Sequence, residues 1–484
     1  MRALHNILGV ARYERMLLLR TTRFRILGSV GVALPLLIGI GLAVLEARGI
    51  EFSSALGMGA FIPFYVYSYL QAIVIAFIVG DFRAADERAE IYEVIAGRPI
   101  ATAELVIGKY LGVVGAMSTL SIAVLLLTVA IQAAKLSLLD SPFTIKPYLI
   151  YLLVMTLPAL IYMSALTFFL GAVLRQQTAV ALLTIAYALA VLFYLGEGYG
   201  GIWDFGAFFA PLFYSDMIGL GDLSRVIDQR LFYLALGLFF FGLSIERYPR
   251  LSQSLAWAWA GRGMAGVGLL VAVGLYQHMG AQDEANLAYR QRLLAEQYRY
   301  AAVPAPQVEH YGLDIALLGE GSPIAAKVQI RLYNYHEIAL DSLTFTLNPG
   351  LALRAVEDST GNPLAWIRGE AVIRVHAPML AGAERTLTLL YDGDIDRQGF
   401  DLLRDETRLE KSKWPFIKGD LTAWIRDESV FLPPRSRWYP IAGVAYHPGE
   451  PPPPSFATAE IAVSVPADLE VVTQGQPTSK ETQG

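Results

Sequence analysis

The stretch YLGVVGAMSTLSIAVLLLTVAIQAA, residues 110–134, runs through 25 positions without a charged side chain. A helix needs roughly 20 apolar residues to cross the hydrocarbon core of a bilayer, so this segment reads as a membrane span. Working outward from it, comparable charge-free runs occupy Ile26–Leu45, Phe52–Gly80, Pro147–Leu174, Gln176–Gly196, Leu231–Ile245 and Gly263–Gln282. The sixth run is short, at 15 residues, and the seventh is rich in Gly and Ala. A further apolar stretch, Phe205–Ser215, has 11 residues and contains Pro211, which suits a re-entrant or interfacial segment better than a crossing.

Composition agrees with a membrane protein. Of 484 residues, 55% are hydrophobic and 17% charged, with mean hydropathy +0.45, whereas soluble domains carry about a quarter charged residues. Disorder is excluded by the same balance. The net charge of -5 leaves no basic footprint for nucleic acid. With no cysteine in the chain, disulfides, thiolate metal sites and cysteine nucleophiles are all excluded.

Charge is distributed unevenly. Residues 281–484 hold 19 Lys+Arg and 27 Asp+Glu, and residues 1–280 hold 19 and 16. The expected organisation is an amphipathic cytoplasmic helix over 1–25 and a membrane domain over 26–250. A seventh span follows over 251–282, then a juxtamembrane helix and linker over 283–303 and a polar domain over 304–484. If the N-terminus is cytoplasmic and all seven runs cross, the inner segments hold 14 positive residues and the outer loops five, namely Arg48, Lys135, Lys146, Arg225 and Arg230. The positive-inside rule favours this orientation, and an odd number of spans then places the polar domain outside the cytoplasm.

None of the first six runs contains Asp, Glu, Lys, Arg or His. Ion-coupled transporters usually keep such groups in the membrane, so neither a proton-driven carrier nor intramembrane proteolysis by carboxylates is expected. Two cytoplasmic segments carry more information. Leu4, Ile7, Ala11 and Leu18 share one helical face, away from His5, Arg12, Arg15 and Arg20, as in a helix lying on the inner leaflet. The loop between the second and third spans has helix formers over Ala84–Ala96, a stop at Gly97 and Pro99 beyond it. A short charged helix is expected there.

The pattern Asp86-Glu87-Arg88, Glu93, Pro99-Ile100 and Gly108-Lys109 resembles the permease family of type-2 ABC exporters. So do the amphipathic helix before the first span, six spans and a broken apolar segment before the sixth. The resemblance covers about residues 1–250. It implies that this loop holds the coupling helix on which an ATP-binding subunit docks, and it gives an interface role to Glu87, Arg88, Glu90, Glu93 and Arg98. It also implies a permease pair in a prokaryotic plasma (inner) membrane, working with separate ABC ATPase subunits that hold ATP and Mg. The seventh run departs from the six-span plan and is read as an addition that exports the tail. No G-x-x-x-x-G-K-[ST] loop occurs in the chain, since Gly108-Lys109 is followed by Tyr110 outside that frame. The chain is expected to bind no cofactor and to be no enzyme by itself.

Beyond Pro304 the hydrophobic period becomes two. Val328, Ile330 and Leu332 alternate with polar neighbours, as do Leu343, Phe345 and Leu347, then Leu387, Leu389 and Tyr391, and finally Ala459, Ile461, Val463 and Val465. Half-buried strands follow, with Asn348-Pro349-Gly350 and Asp392-Gly393 as turn signals. An antiparallel β-sandwich or saddle is expected. The ordered set Leu347-Asn348-Pro349-Gly350, Leu387–Tyr391, Ser436-Arg437-Trp438-Tyr439-Pro440 and the strand from Phe456 to Val465-Pro466 resembles the N-terminal β-domain of zinc aminopeptidases of the aminopeptidase N kind. It covers about residues 305–480. The family's metal motif H-E-x-x-H is absent, because His336-Glu337 is followed by Ile338, Ala339 and Leu340. His310, His376 and His447 stand singly, and the acidic run Asp392, Asp394, Asp396 lacks the Gly and Glu of a calcium loop. No metal ligand is therefore assigned. A different reading makes the spans an anchor for an extracytoplasmic peptide-binding or peptidase-related module that lacks its catalytic domain.

Overall fold

The structure, a computed structural model, describes residues 2–49, 55–79, 100–139, 143–174, 176–196, 201–208, 212, 214, 219–220, 223–248, 255–319, 322–397, 423–427, 429–445 and 456–481. Two compact units emerge, a helical one up to Ala281 and a strand-rich one from Gln282 onward.

The helical unit begins with α1 (Arg2–Arg20) and α2 (Thr22–Ala47), separated by Thr21, whose hydroxyl accepts from the Phe24 amide and caps α2. There follow α3 (Ala55–Val79) and α4 (Thr102–Leu139). The next helix runs over Lys146–Leu174, as α5 (Lys146–Ile150), a π-helical segment Tyr151–Thr156 and α6 (Leu157–Leu174). Then come α7 (Gln177–Ala190), a second π segment Val191–Leu195, α8 (Ser224–Arg247) and α9 (Leu255–Tyr300). Among the described residues seven helices are long and apolar enough to cross a membrane.

Several helices exceed the runs that announce them, α8 and α9 most consequentially. α8 starts at Ser224 rather than Leu231, so Arg225, Asp228 and Arg230 lie inside it. α9 continues for 46 residues without a break, and the separate juxtamembrane helix expected over 285–300 is its last part. Nothing in Gln282–Tyr300 is a Gly or Pro, so the helix runs on to Tyr300, ahead of Pro304. The small residues of the seventh run have a packing role. A Cβ at Gly242 of α8 would lie 2.5 Å from the Ala265 amide nitrogen, and one at Gly268 of α9 would lie 2.6 Å from the Phe239 nitrogen. Only glycine allows these two backbones to touch.

The second unit contains a five-stranded sheet in the order β11-β1-β2-β7-β4 and a four-stranded sheet β10-β3-β6-β5. A small hairpin pairs β8 with β9. The strands are β1 (Gln307–Gly319), β2 (Ser322–Tyr333), β3 (Leu343–Thr346), β4 (Leu351–Asp358), β5 (Trp366–Arg368), β6 (Val372–Val375), β7 (Glu384–Gly393), β8 (Trp424–Arg426), β9 (Ser429–Phe431), β10 (Ile441–Ala442) and β11 (Thr458–Ser464). Both larger sheets contribute to one apolar core, with Val328 and Ile330 of β2, Leu387 and Leu389 of β7 and Phe345 of β3 fully buried. All pairs are antiparallel except β1 with β11.

Three strand expectations change. β3 is buried on both faces rather than one. β11 is exposed almost throughout, because it is an edge strand. Asp392-Gly393 closes β7 instead of turning the chain, and the Gly393 φ of 140° lets it lie against Gly350. Asn348-Pro349-Gly350 does form a turn, with the Asn348 side-chain oxygen accepting from the Gly350 amide at 2.9 Å.

Candidate functional site

Glu87, Arg88, Glu90, Glu93 and Arg98, with the helix expected over 84–96, lie outside the described residues. What the structure does describe is the point where that loop feeds α4. Ala101 precedes the helix, and its amide donates to Glu104 Oε2 at 3.3 Å. This is the backward half of a capping box, a carboxylate at the third helical position holding the residue before the helix. The same oxygen accepts from Asn6 Nδ2 of α1 at 2.9 Å. Glu104 therefore fastens both the end of the loop and the first turns of α1.

The two helices then meet closely at Gly108-Lys-Tyr-Leu-Gly112. A Cβ at Gly108 would sit 2.6 Å from Val10 Cβ and 3.0 Å from the Ile7 carbonyl oxygen. One at Gly112 would sit 2.6 Å from Glu14 Cβ. This G-x-x-x-G spacing, familiar from helix pairs in membranes, permits backbone-close packing. The amphipathic reading of α1 is corrected in one respect. Ile7, Ala11 and Leu18 do lie on the less exposed side, but with Asn6, Val10 and Glu14, and against α4; Leu4 is exposed with Leu8. Small residues on α4 bring α1 against protein where the pattern alone suggests lipid.

Near its other end α4 is tied again. Lys135 Nζ meets Glu46 Oε2 of α2 at 2.5 Å, with Lys135 only 6% exposed. Between the two ties, Tyr67 of α3 bonds Ser121 Oγ at 3.1 Å. Gln71 Nε2 donates to the Thr156 carbonyl, at the end of the first π segment, at 3.0 Å.

A second polar constellation lies in the interior of the helical unit. Residues 201–208 form turns rather than helix, and Asp204, Phe205 and Ala207 are fully buried. Buried non-helical backbone must have its polar groups satisfied by protein. Here α8 supplies the partners. Arg230 donates to the carbonyls of Phe205 (2.7 Å) and Asp204 (2.8 Å), and Tyr233 to that of Ile202 (3.0 Å). The Gln229 amide reaches the carbonyls of Gly201 and Asp204. The Asp204 carboxylate accepts from Tyr69 of α3 at 2.7 Å and from the Gly206 amide at 2.9 Å. Tyr162, Tyr187 and Phe205 pack around the same point.

Sequence reading misses this pair. The sixth apolar run begins one residue after Arg230, which is counted as an outer-loop charge, and Asp204 falls in a gap between runs. The available signal is i, i+4: Gln229 and Tyr233, with Arg230 between them, put three donors on one side of a helix that follows a broken apolar segment.

In the strand-rich unit the acidic run is consumed locally. Asp392 binds Arg354 at 2.7 Å, Asp394 accepts from the Ile395 amide at 2.7 Å, and Asp396 accepts from Tyr289. His336 Nε2 contacts the Ala305 carbonyl at 2.9 Å, and His310 Nδ1 contacts Thr458 Oγ1 at 2.8 Å. Among the described residues no group of three or more His, Asp or Glu could hold a metal ion.

No family model matches the chain, and no curated protein does. Solved structures similar to part of it include an M1 zinc metallopeptidase from Deinococcus radiodurans, at 22% identity over 18% of this chain and 20% of that one, with a TM-score of 0.17. Another is a two-domain M1 zinc metallopeptidase mutant bound to L-arginine, at 19% identity over 37% of each chain, with a TM-score of 0.27. The chain spans well under half the length of either.

Proposed function

We propose that this chain is the membrane-spanning permease subunit of an ATP-binding cassette exporter, driven by a separate ATPase subunit that docks on the loop between α3 and α4. The observation that carries this reading is the grip of Glu104 on Asn6 and on the Ala101 amide. A push on residues 80–99 would be delivered to Ala101, and α1 and α4, fastened there and at Gly108 and Gly112, would move together. On this reading ATP and Mg bind the partner, and two permease subunits face each other. On the same reading the membrane is a prokaryotic inner membrane, and the positive residues flanking the spans favour a cytoplasmic N-terminus with the strand-rich unit on the other side.

The test is capture of the full chain from native membranes, followed by assay of vanadate-sensitive ATP hydrolysis. Charge reversal by Glu93→Lys or Arg88→Glu should release the ATPase, while the chain itself stays in the membrane. Capture without a nucleotide hydrolase would overturn the exporter reading and leave the spans as an anchor for the strand-rich unit.

A further inference from the structure

A groove of about 490 Å³ opens on the side of the helical unit, lined by Leu19 of α1, by Phe24, Arg25, Gly28, Ser29, Val32, Ala33 and Leu36 of α2, and by Leu120 of α4. Its floor lies where α2 and α4 approach, since a Cβ at Gly28 would come 3.1 Å from Leu120 Cδ1. From Arg25 to Leu36 the groove follows α2 for roughly 16 Å at 1.5 Å per residue. That is close to the depth of one leaflet, about half of a ~30 Å hydrocarbon core. The wall is apolar apart from Ser29, and the only charge is at one end.

That charge is oriented. Arg25 Nε donates to the Leu19 carbonyl at the end of α1, at 3.2 Å. Nε is held there, which keeps the guanidinium at that end of the groove. Arg20 and Arg23 flank the same turn, and Glu14 is the only acidic residue before Glu46. One charged end and an apolar trough one leaflet long match an amphiphile with an anionic head.

We propose that this groove seats one anionic phospholipid, its phosphate on Arg25 and an acyl chain along Val32, Ala33 and Leu36. The site rests on α2 being a membrane span and is independent of what drives the chain, so it stands even if no ATPase is captured. Basic pockets between membrane helices recognise anionic headgroups in this way.

Native mass spectrometry of the purified, delipidated full chain, offered phosphatidylglycerol or phosphatidylcholine at equal concentration, tests this. The wild-type chain should keep one phosphatidylglycerol with about fivefold preference, the yield of one arginine near the surface. Arg25→Ala should abolish the preference, and Arg25→Lys should keep it. Ala33→Trp fills the trough without touching the arginine and should lower retention of phosphatidylglycerol. Arg48→Ala, at the opposite end of α2, should change nothing. Equal retention of the two lipids by the wild-type chain, undiminished preference in Arg25→Ala, or undiminished retention in Ala33→Trp would each overturn the assignment.

Discussion

Asn6 and Glu104 are 98 residues apart in sequence, yet the Asn6 amide donates to the Glu104 carboxylate at 2.9 Å. One carboxylate oxygen thus caps α4 and fastens α1. We expect Glu104→Ala to cost about 1–3 kcal/mol, the loss of a cap together with a charge-assisted hydrogen bond. A lower thermal midpoint of the detergent-solubilised chain and faster hydrogen exchange at the Ala101 amide, which Glu104 holds, check this.

Gly112→Leu tests the close packing directly. The new side chain would start 2.6 Å from Glu14 Cβ and 2.9 Å from the Ala11 carbonyl oxygen. Overpacking of this kind costs about 1–3 kcal/mol. A drop in the thermal midpoint of the detergent-solubilised chain is expected, with α1 becoming sensitive to protease at Arg12 and Arg15. Gly115→Leu, whose Cβ would meet only the Arg15 side chain at 3.5 Å, should be milder.

For the buried turn at 201–208, Arg230→Leu leaves the carbonyls of Phe205 and Asp204 without these donors. The Phe205 carbonyl loses its donor at a cost of about 1–3 kcal/mol, the Asp204 carbonyl keeps only Gln229 at 3.2 Å, and the Asp204 carboxylate loses a nearby cation. We expect poor folding of Arg230→Leu, milder loss in Arg230→Lys, and partial recovery when Asp204→Asn is combined with Arg230→Leu. Monodispersity after extraction and thermal stability of the wild type, Arg230→Leu, Asp204→Asn and the double variant form the cycle. Simple additivity would show that Asp204 and Arg230 are not coupled.

In the strand-rich unit Asn348 holds three segments together. Its Nδ2 donates to the carbonyls of Ser436 (2.8 Å) and Asp396 (3.1 Å), and its Oδ1 accepts from the amides of Gly350 (2.9 Å) and Asp396 (2.8 Å). Asn348→Ala should destabilise this unit by about 3 kcal/mol or more, since a fully buried network loses its hub. Hydrogen exchange on the full chain should show faster exchange at Gly350 and Asp396 while the β2–β7 ladder stays protected.

Asp358 supplies a pH signature. The Thr360 hydroxyl and the amides of Asn362 and Thr360 hold its carboxyl at about 2, below the ordinary 3.8. A depressed carboxyl contributes stability that is present above the unfolded value and is lost as pH falls through the folded one. Protection of the Thr360 and Asn362 amides, corrected for intrinsic exchange, should therefore decline between about pH 4 and pH 2. Asp358→Asn should remove most of that dependence.

Hydropathy and period two made much of this legible: seven apolar runs correspond to seven long helices, and β2 and β7 show the expected inward residues. The remainder depends on partners remote in sequence. Glu46 and Lys135 look like loop charges until their helices extend past the apolar runs and meet. Arg230 looks like a flank until the turn at 201–208 presents carbonyls to it. The face of α1 pairs with Gly108 and Gly112, which a moment along α1 alone cannot reveal. β11 alternates like a half-buried strand, but nothing local says that it lies at an edge. The five loop residues given an interface role lie outside the described residues and are tested only by experiment.

The π-helical segment Tyr151–Thr156 has a mechanical meaning. Each of its turns contains about one residue more than an α-turn, and Gln71 of the neighbouring helix holds the carbonyl at its end. Were the six residues to rewind as α-helix, taking up one residue would turn everything beyond by about 100°. Tyr162 and Phe168, six and twelve residues further along, would then swing away from Tyr233 and Tyr110. The fourth long helix thus carries its extra residue between two α-helical stretches, where Gln71 and Ser68 of the neighbouring helix both meet Thr156.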